Sequence, residues 1–380
     1  MKQWSNILEA VDITNNRVKP FKGERRYLAT GDLVGDEVNG SIVSVDYETK
    51  PSRADLLVED GNIIVARMQA TNKVLLIDKS TEDLIVSTGF LTLRPSKGFN
   101  GNYLTHYFRS EIFQKQKDKY CSGATQKAIN NTAFGRLQVP RYSLEEQKQI
   151  ARLLDQADVL CQKRKQSLQL LDDFLRATFL DMFGDPLAQK KNYKVIKLGS
   201  VAQFIGGGTP SRKIPTYFKG NNLWATSKDM KGIVLVDTQE RISDEAIAES
   251  STKKVTAGTV LVVVKSKILL RYLPVLIANR EICFNQDIKG IIPNEDVDPW
   301  YLLFHLRIGQ NALLQIARGV NTEGLTLDHL KNYDLILAPI NKQKQFSKIA
   351  KSYIKMIEKM NQSKMQLDNQ FNALMQKYFS

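Results

Sequence analysis

Residues 143–186 read SLEEQKQIARLLDQADVLCQKRKQSLQLLDDFLRATFLDMFGDP, a run with a helix start at one end and a helix stop at the other. Ser143 and Glu146 make a capping-box pair, in which each side chain satisfies an orphan amide of the first turn. Gly184 can take the left-handed conformation just past the last turn, and Pro186 blocks continuation. The forty residues between these signals span about 60 Å at 1.5 Å per residue. Inside the run, Ile150, Leu154, Ala157, Cys161, Arg164, Leu168, Leu171, Leu175, Thr178 and Met182 alternate spacings of four and three, the a/d seam of a coiled coil broken only by Arg164 and Thr178. Such a seam needs a partner.

A candidate partner lies in the same chain. Gln147, Lys148, Gln149, Lys163, Gln166, Ser167, Leu171, Asp172, Ala177 and Phe183 recur, without a gap, as Gln343, Lys344, Gln345, Lys359, Gln362, Ser363, Leu367, Asp368, Ala373 and Phe379. Gly123 matches Gly319 and Ala29-Thr30 matches Ala225-Thr226 in the same register, while Tyr103-Leu104 matches Tyr301-Leu302 two residues out of it. The duplication therefore spans almost the whole chain. The second seam runs Phe346, Ala350, Tyr353, Ile357, Met360, Lys364, Leu367, Phe371, Leu374 and Tyr378. Residues 144–183 carry 6 basic and 7 acidic side chains against 8 and 2 in residues 341–380, a weak charge preference for pairing the two helices with each other. Tethering on one chain favours the same pairing. The alternative is two ordinary amphipathic helices, each packed on its own domain.

A chain of 380 residues exceeds one typical domain, and 42% hydrophobic with 25% charged residues is a globular composition. No apolar run of about 18 residues is present to span a bilayer, and residues 1–8 lack a signal-length apolar stretch, so the expected compartment is cytoplasmic. Cys121, Cys161 and Cys283 are far apart without CxxC spacing; they read as buried thiols rather than a disulfide framework or zinc site. The net charge of +14 suits nucleic acid, because Lys and Arg neutralise phosphates and release counterions. Residues 1–190 hold 27 basic against 24 acidic side chains, and residues 191–380 hold 27 against 16.

Residues 1–140 and 190–340 read as mixed α/β, with β-branched runs at 62–66, 74–77, 259–264 and 288–292 expected to be strands. Between the strands lie loops rich in hydrogen-bond donors. In the first copy they hold Arg25 and Arg26, then Arg67, Gln69 and Asn72, then Gln126, Lys127 and Asn130. In the second copy they hold Thr209, Arg212 and Lys213, then Lys228, then Lys265, Lys267 and Arg271, then Asn321. Arg and Lys pair with guanine, and Asn and Gln with adenine, in the major groove, so these loops have the chemistry of base readout. Taken singly, each is equally an ordinary solvated turn. The run Gly206-Gly207-Gly208-Thr209 lacks the phosphate-loop pattern and reads as a flexible loop. His106, His305 and His329 have no metal-ligand spacing and read as core or surface histidines, and no catalytic constellation declares itself.

Gly123-Ala124-Thr125-Gln126-Lys127, Val139-Pro140, Leu144-Glu145-Glu146-Gln147-Lys148-Gln149-Ile150 and Phe179-Leu180-Asp181-Met182-Phe183-Gly184-Asp185-Pro186 closely resemble the first conserved region of type I restriction-modification specificity subunits. Lys197-Leu198-Gly199, Gly207-Gly208-Thr209-Pro210-Ser211-Arg212-Lys213 and Trp224-Ala225-Thr226-Ser227-Lys228-Asp229 look like the opening of a target recognition domain. The resemblance implies an α/β (α+β) fold with two globular target recognition domains, 1–142 and 185–340. The long helices, 143–184 and 341–380, would form an antiparallel coiled-coil spacer with an internal pseudo-twofold repeat.

It further implies a non-catalytic subunit that reads a bipartite site in double-stranded DNA. Such a subunit docks two adenine methyltransferase (modification) subunits and, for cleavage, restriction/translocase subunits, with no membrane. S-adenosylmethionine, ATP and Mg2+ would belong to those partners, and this chain would hold no cofactor. In keeping with that, neither the Asn/Asp-Pro-Pro-aromatic motif of adenine methyltransferases nor a Walker A loop is present. The sequence departs from the pattern at Gly23-Glu24-Arg25-Arg26, where a Gly-Gly-Thr-Pro-Ser type of sequence is expected. It departs again at Gly319-Val320-Asn321-Thr322-Glu323, which stands where the first copy has Gly123 to Lys127. Two other readings stay open: a specificity subunit of another bipartite restriction system, and a non-catalytic coiled-coil adaptor.

Overall fold

The computed structural model describes residues 3–35, 37–38, 42–188, 193–318 and 324–380. Its two longest elements are helices of 40 residues each, Leu144–Phe183 and Ile340–Phe379. Ser143 N donates to the Glu146 carboxylate at 2.9 Å and Glu146 N to Ser143 Oγ at 3.3 Å, which is the expected capping box. At the other end Gly184 has φ +84° and its amide closes on Leu180 O at 2.8 Å.

The chain divides into two units, Met1–Lys165 with Gln362–Ser380, and Gln166–Asn361. The boundary cuts both long helices. In the first unit Ile150, Ala151 and Leu154 of the first helix share one core with Met375 and Phe379 of the second. In the second unit Leu175, Phe179 and Phe183 share a core with Phe346, Ala350 and Ile354, and the rings of Phe174 and Tyr353 stack at 4.8 Å. The start of each helix thus meets the end of the other, so the helices are antiparallel. Seam residues from Ala157 to Leu171 are half-buried, because a two-helix seam is covered on one side only; at the helix ends a globular core completes the burial. The pattern excludes two helices packed each on its own domain.

The two main sheets of each globular part repeat in the same strand order. In the first unit one sheet has the order Val43–Val45, Arg25–Leu28, Ile85–Ser87, Ala54–Leu57, and a second has Val11–Ile13, Phe90–Pro95, Ile63–Ala66, Val74–Leu76. In the second unit the order is Glu240–Ile242, Asn222–Ala225, Ile282–Phe284, Lys254–Val255, then Ala202–Gly206, Ile288–Pro293, Val260–Val263, Val275–Ala278, with Val234–Leu235 added at the edge. In each copy the central pair of the first sheet is parallel, Arg25–Leu28 with Ile85–Ser87 and Asn222–Ala225 with Ile282–Phe284. Ile63–Ala66 and Val260–Val263 are buried at every residue, as continuous apolar runs in central strands must be. Two short helices cover each second sheet, Gly101–Arg109 with Glu111–Lys119 and Pro299–Ile308 with Gln310–Arg318.

The same polar anchors tie each long helix to its unit. Gln147 is fully buried; its amide donates to Gly98 O at 3.0 Å and Tyr142 O at 2.9 Å, and its Oε1 accepts from Asn100 N at 2.9 Å. Gln343 does the same with Asp296 O, Ala338 O and Asp298 N at 3.0, 2.7 and 2.9 Å. Every polar atom of both buried amides is thereby satisfied. Tyr103 Oη donates to Pro140 O and Tyr301 Oη to Ile336 O, at 2.7 and 2.5 Å. Above these tyrosines sit the terminal phenylalanines of the helices, Phe379 at 5.4 Å from Tyr103 and Phe183 at 4.8 Å from Tyr301 between ring centroids. Each of these two phenylalanines belongs to the opposite copy's helix, so each core is completed by the other half of the sequence.

Two expectations change. Only Cys283 is a fully buried thiol; Cys121 and Cys161 are half-buried, the latter because it lies in the one-sided seam. The glycines at 206–208 do not form a loose loop. A Cβ on Gly207 would stand 2.0 Å from Asn285 O, one on Gly208 would stand 2.5 Å from Ser251 Oγ, and Trp224 Nε1 donates to Gly208 O at 3.0 Å. Glycine is needed there for close packing of backbone on backbone.

Phe379→Ala is expected to cost about 3–5 kcal/mol by opening a cavity in the first unit. It should speed amide exchange in Gly101–Arg109, which is remote in sequence, while Phe183→Ala should do so in Pro299–Ile308. Hydrogen exchange read by mass spectrometry checks both.

His305 supplies a pH test. It is fully buried, its Nε2 accepts from Ile336 N at 3.1 Å, and its Nδ1–H therefore points at Tyr333 Oη, 3.1 Å away. Burial pushes its pKa down from 6.5 to about 3, so the ring stays neutral in the fold and takes up a proton on unfolding. The stability it contributes is complete above pH 6.5 and is lost as pH falls towards 3, by about 1.4 kcal/mol per pH unit. Chemical denaturation between pH 7 and 4.5 should show stability falling more steeply in the native chain than in His305→Gln, the difference approaching that slope.

Candidate nucleic-acid interface

In each unit the ends of the buried strands deliver several loops to one edge. In the first, Arg67 N donates to Gly89 O, Ile129 N to Arg67 O and Gln69 N to Lys127 O, all at 2.9 Å, and Lys73 Nζ reaches Thr30 O at 2.6 Å. Residues 67–73, 88–89, 121–130 and 29–32 therefore make one surface. In the second, Val264 N donates to Asp287 O at 2.8 Å and Leu325 N to Val264 O at 2.7 Å, while Asn285 N donates to Ala225 O and Gly208 N to Phe284 O, each at 2.9 Å. Residues 206–209, 225–229, 264–271, 285–287 and 324–325 make the equivalent edge.

Of the expected contact residues in the first copy, the fold brings Arg67, Gln69, Gln126 and Lys127 together. Arg25 and Arg26 stand apart, at the opposite end of strand Arg25–Leu28 from Thr30. The Arg26 guanidinium is forked onto the Asp83 carboxylate and donates to Ser80 O at 2.6 Å, while Arg25 lies over the Phe21 ring at 4.8 Å. Arg67 is half-buried and committed to carbonyls, Nε to Phe90 O at 3.0 Å and Nη1 to Ile129 O at 3.3 Å, and burial lowers its pKa. It ties two loops together. Asn72 is likewise engaged, with Arg109 O at 2.9 Å and the Gln114 amide at 3.2 Å. Gln126 Nε2 lies 2.7 Å from Met68 Sδ. The side chains of Gln69 and Lys127 are exposed and make no hydrogen bond among the described residues.

In the second copy, Thr209 Oγ1 donates to the Gln286 amide oxygen. Arg212 donates to Glu240 at 2.6 Å and lies over Phe218 at 4.1 Å and Trp224 at 5.3 Å, so it is held in place while staying exposed. Lys213 and Lys228 are exposed; beside Lys228 the turn is fixed by the Asp229 carboxylate, which accepts from Thr226 N and Oγ1 at 2.8 and 2.9 Å. Lys265, Lys267 and Arg271 are exposed around the short turn Lys267–Leu270. Asn321, with the whole 319–323 loop, lies outside the described residues. The charge difference between the halves lies mostly in the long helices, residues 144–183 and 341–380, rather than in the edges.

The sequence reading missed two features. A cleft of about 550 Å³ beside the first edge is lined by Asn15, Arg17, Arg67, Thr88, Ser122 and Asn131, residues drawn from separate segments that no local pattern links. Lys117, fully buried, donates to loop carbonyls from beneath. Among the described residues no group of three or more His, Cys, Asp or Glu could hold a metal ion, and no helix is long and apolar enough to cross a membrane.

Residues 8–170 and 190–369 each match the family model of the type I restriction modification DNA specificity domain. The chain belongs to this family. Each of the two matches takes in one of these edges and most of one long helix. The chain is 31% identical over 216 residues to the type I restriction enzyme EcoR124I/EcoR124II specificity subunit of Escherichia coli. That match covers 55% of the chain and 52% of the relative, so the chain spans about half the length of that relative. Among solved structures, it is similar to a type I restriction-modification S subunit from M. genitalium, with a TM-score of 0.63 at 14% identity over 100% of this chain and 96% of that one. It is also similar to a chain from work on complex assembly and conformational transition of the type I R-M system, with a TM-score of 0.58 at 19% identity over 99% and 97%. At these identities the likeness carries the fold of the specificity domains.

Arg67→Ala is expected to destabilise the first unit by about 1–3 kcal/mol, because two carbonyls lose their donor. Lys127→Ala should stay within about 0.5 kcal/mol of the native chain. Urea denaturation separates the two.

Proposed function

We propose that this chain is the address-reading, non-catalytic subunit of a type I restriction-modification enzyme. Each unit reads one half of a bipartite site in double-stranded DNA, and the paired helices set the unread gap. The observation that carries the reading is the duplicated framework, on which equivalent strand ends present loops of different sequence. One framework with two unlike loop sets is what reading two unlike half-sites requires.

Lysine and arginine on the edges, foremost Lys127, Lys213, Lys228, Lys265, Lys267 and Arg271, hold the phosphates and fix register. Gln69 and Gln126 offer amides for adenine edges, and Arg212, carried on the Phe218 and Trp224 rings, offers a fork for guanine. Arg26 and Arg67 act through the fold, holding loops rather than bases. The long helices dock two adenine methyltransferase subunits, and restriction/translocase subunits join for cleavage. S-adenosylmethionine, ATP and Mg2+ bind those partners and not this chain. The name of the Escherichia coli relative and the assembly described for the type I system support this set of partners.

Co-expression with an adenine methyltransferase subunit of a type I system, followed by single-molecule mapping of methylated adenine across the host DNA, tests the proposal. A single bipartite motif with a fixed gap is expected. A soluble stoichiometric complex that adds no methylation would overturn it in favour of a coiled-coil adaptor.

A further inference from the structure

Beneath the first reading edge, helix Glu111–Lys119 holds loop 67–73 by its backbone. Lys117 has no exposed surface, and its ammonium donates to Thr71 O at 2.6 Å, Met68 O at 3.1 Å and Ala66 O at 3.5 Å. A buried ammonium is costly unless its donors are met, and an apolar side chain would fill the same space without that cost. What the lysine adds is a fixed shape for the chain wrapped round it. The next residue holds the same loop a second way: both carboxylate oxygens of Asp118 lie 3.1 Å from Ala70 N. Ala70 has φ +54°, a left-handed conformation that an alanine adopts only when its surroundings impose it. Gln69, whose side chain is exposed, lies between the two clamped residues Met68 and Ala70.

The second unit has a counterpart built from a different residue. Arg318, in the last turn of Gln310–Arg318, donates from Nη2 to Leu270 O at 2.8 Å and Arg271 O at 3.4 Å. A cation also suits the carbonyl end of each helix.

We infer that Lys117 with Asp118 in the first unit, and Arg318 in the second, are positioning residues that hold the reading loops in one shape and so set how strictly each half-site is read. The inference rests on the DNA-reading role proposed above. A preformed loop meets its cognate bases without an ordering cost and cannot relax to accept others. A slack loop re-forms around a wrong base, so discrimination falls while the contact residues themselves remain.

The test uses the full chain with its modification subunits and measures adenine methylation of duplexes carrying the cognate site or one changed base pair in either half. Asp118→Ala and Lys117→Met should lower the cognate-to-mismatch ratio about tenfold in one half-site and leave the ratio in the other unchanged. Arg318→Met should do the reverse. Asp118 and Arg318 are not buried, so those two variants carry the test should Lys117→Met fail to fold. A merely structural role would lower methylation of all duplexes in proportion, and unchanged ratios in Asp118→Ala and Arg318→Met would overturn the inference. Wild-type methylation indifferent to both half-sites would overturn the DNA-reading role itself, and the inference with it.

Discussion

Each long helix carries an apolar seam that its own copy of the repeat covers only along part of its length. The chain resolves this by crossing over. Helix Leu144–Phe183 begins in the unit built on the first copy and ends with Phe183 in the core of the second; helix Ile340–Phe379 makes the return journey and ends with Phe379 beside Tyr103. Neither globular part holds a complete core within its own copy of the sequence. The two copies of the sequence complete each other's cores, and the pairing of the helices is enforced at both ends by buried aromatic packing. Surface charge between the helices is a minor term beside that burial.

On this shared framework the residues divide by task. The buried glutamines, the tyrosine-to-carbonyl bonds and the fully buried central strands are the same in both units, since they meet the same geometric demand. The edges differ. One offers Gln69, Gln126 and Lys127 over a buried lysine, the other offers Arg212 on two aromatic rings and a cluster of lysines. The framework stays the same in both units while the loops it carries differ.

Both ends of the first long helix, its seam and the repeat register were legible in the sequence, because capping, left-handed glycine and heptad spacing are local signals. Main strands such as Ile63–Ala66 and Val260–Val263 were legible as apolar runs. The identity of the loops that share an edge depended on strand pairing at long range, which placed Arg25 and Arg26 away from Arg67. The glycines at 206–208 looked loose because the backbone they pack on, at 284–285 and 251–252, is distant in sequence. The loop clamps were hidden for another reason: Lys117 and Arg318 stand at different offsets in the two copies and use different side chains.

Amide hydrogen exchange of the assembled enzyme, with and without its cognate duplex, tests the central claim most directly. The account predicts protection on DNA binding at residues 67–73 and 121–130 in one unit and at 206–213 and 264–271 in the other, with none around Arg26 and Asp83. Protection confined to one unit, or centred away from both edges, would contradict it.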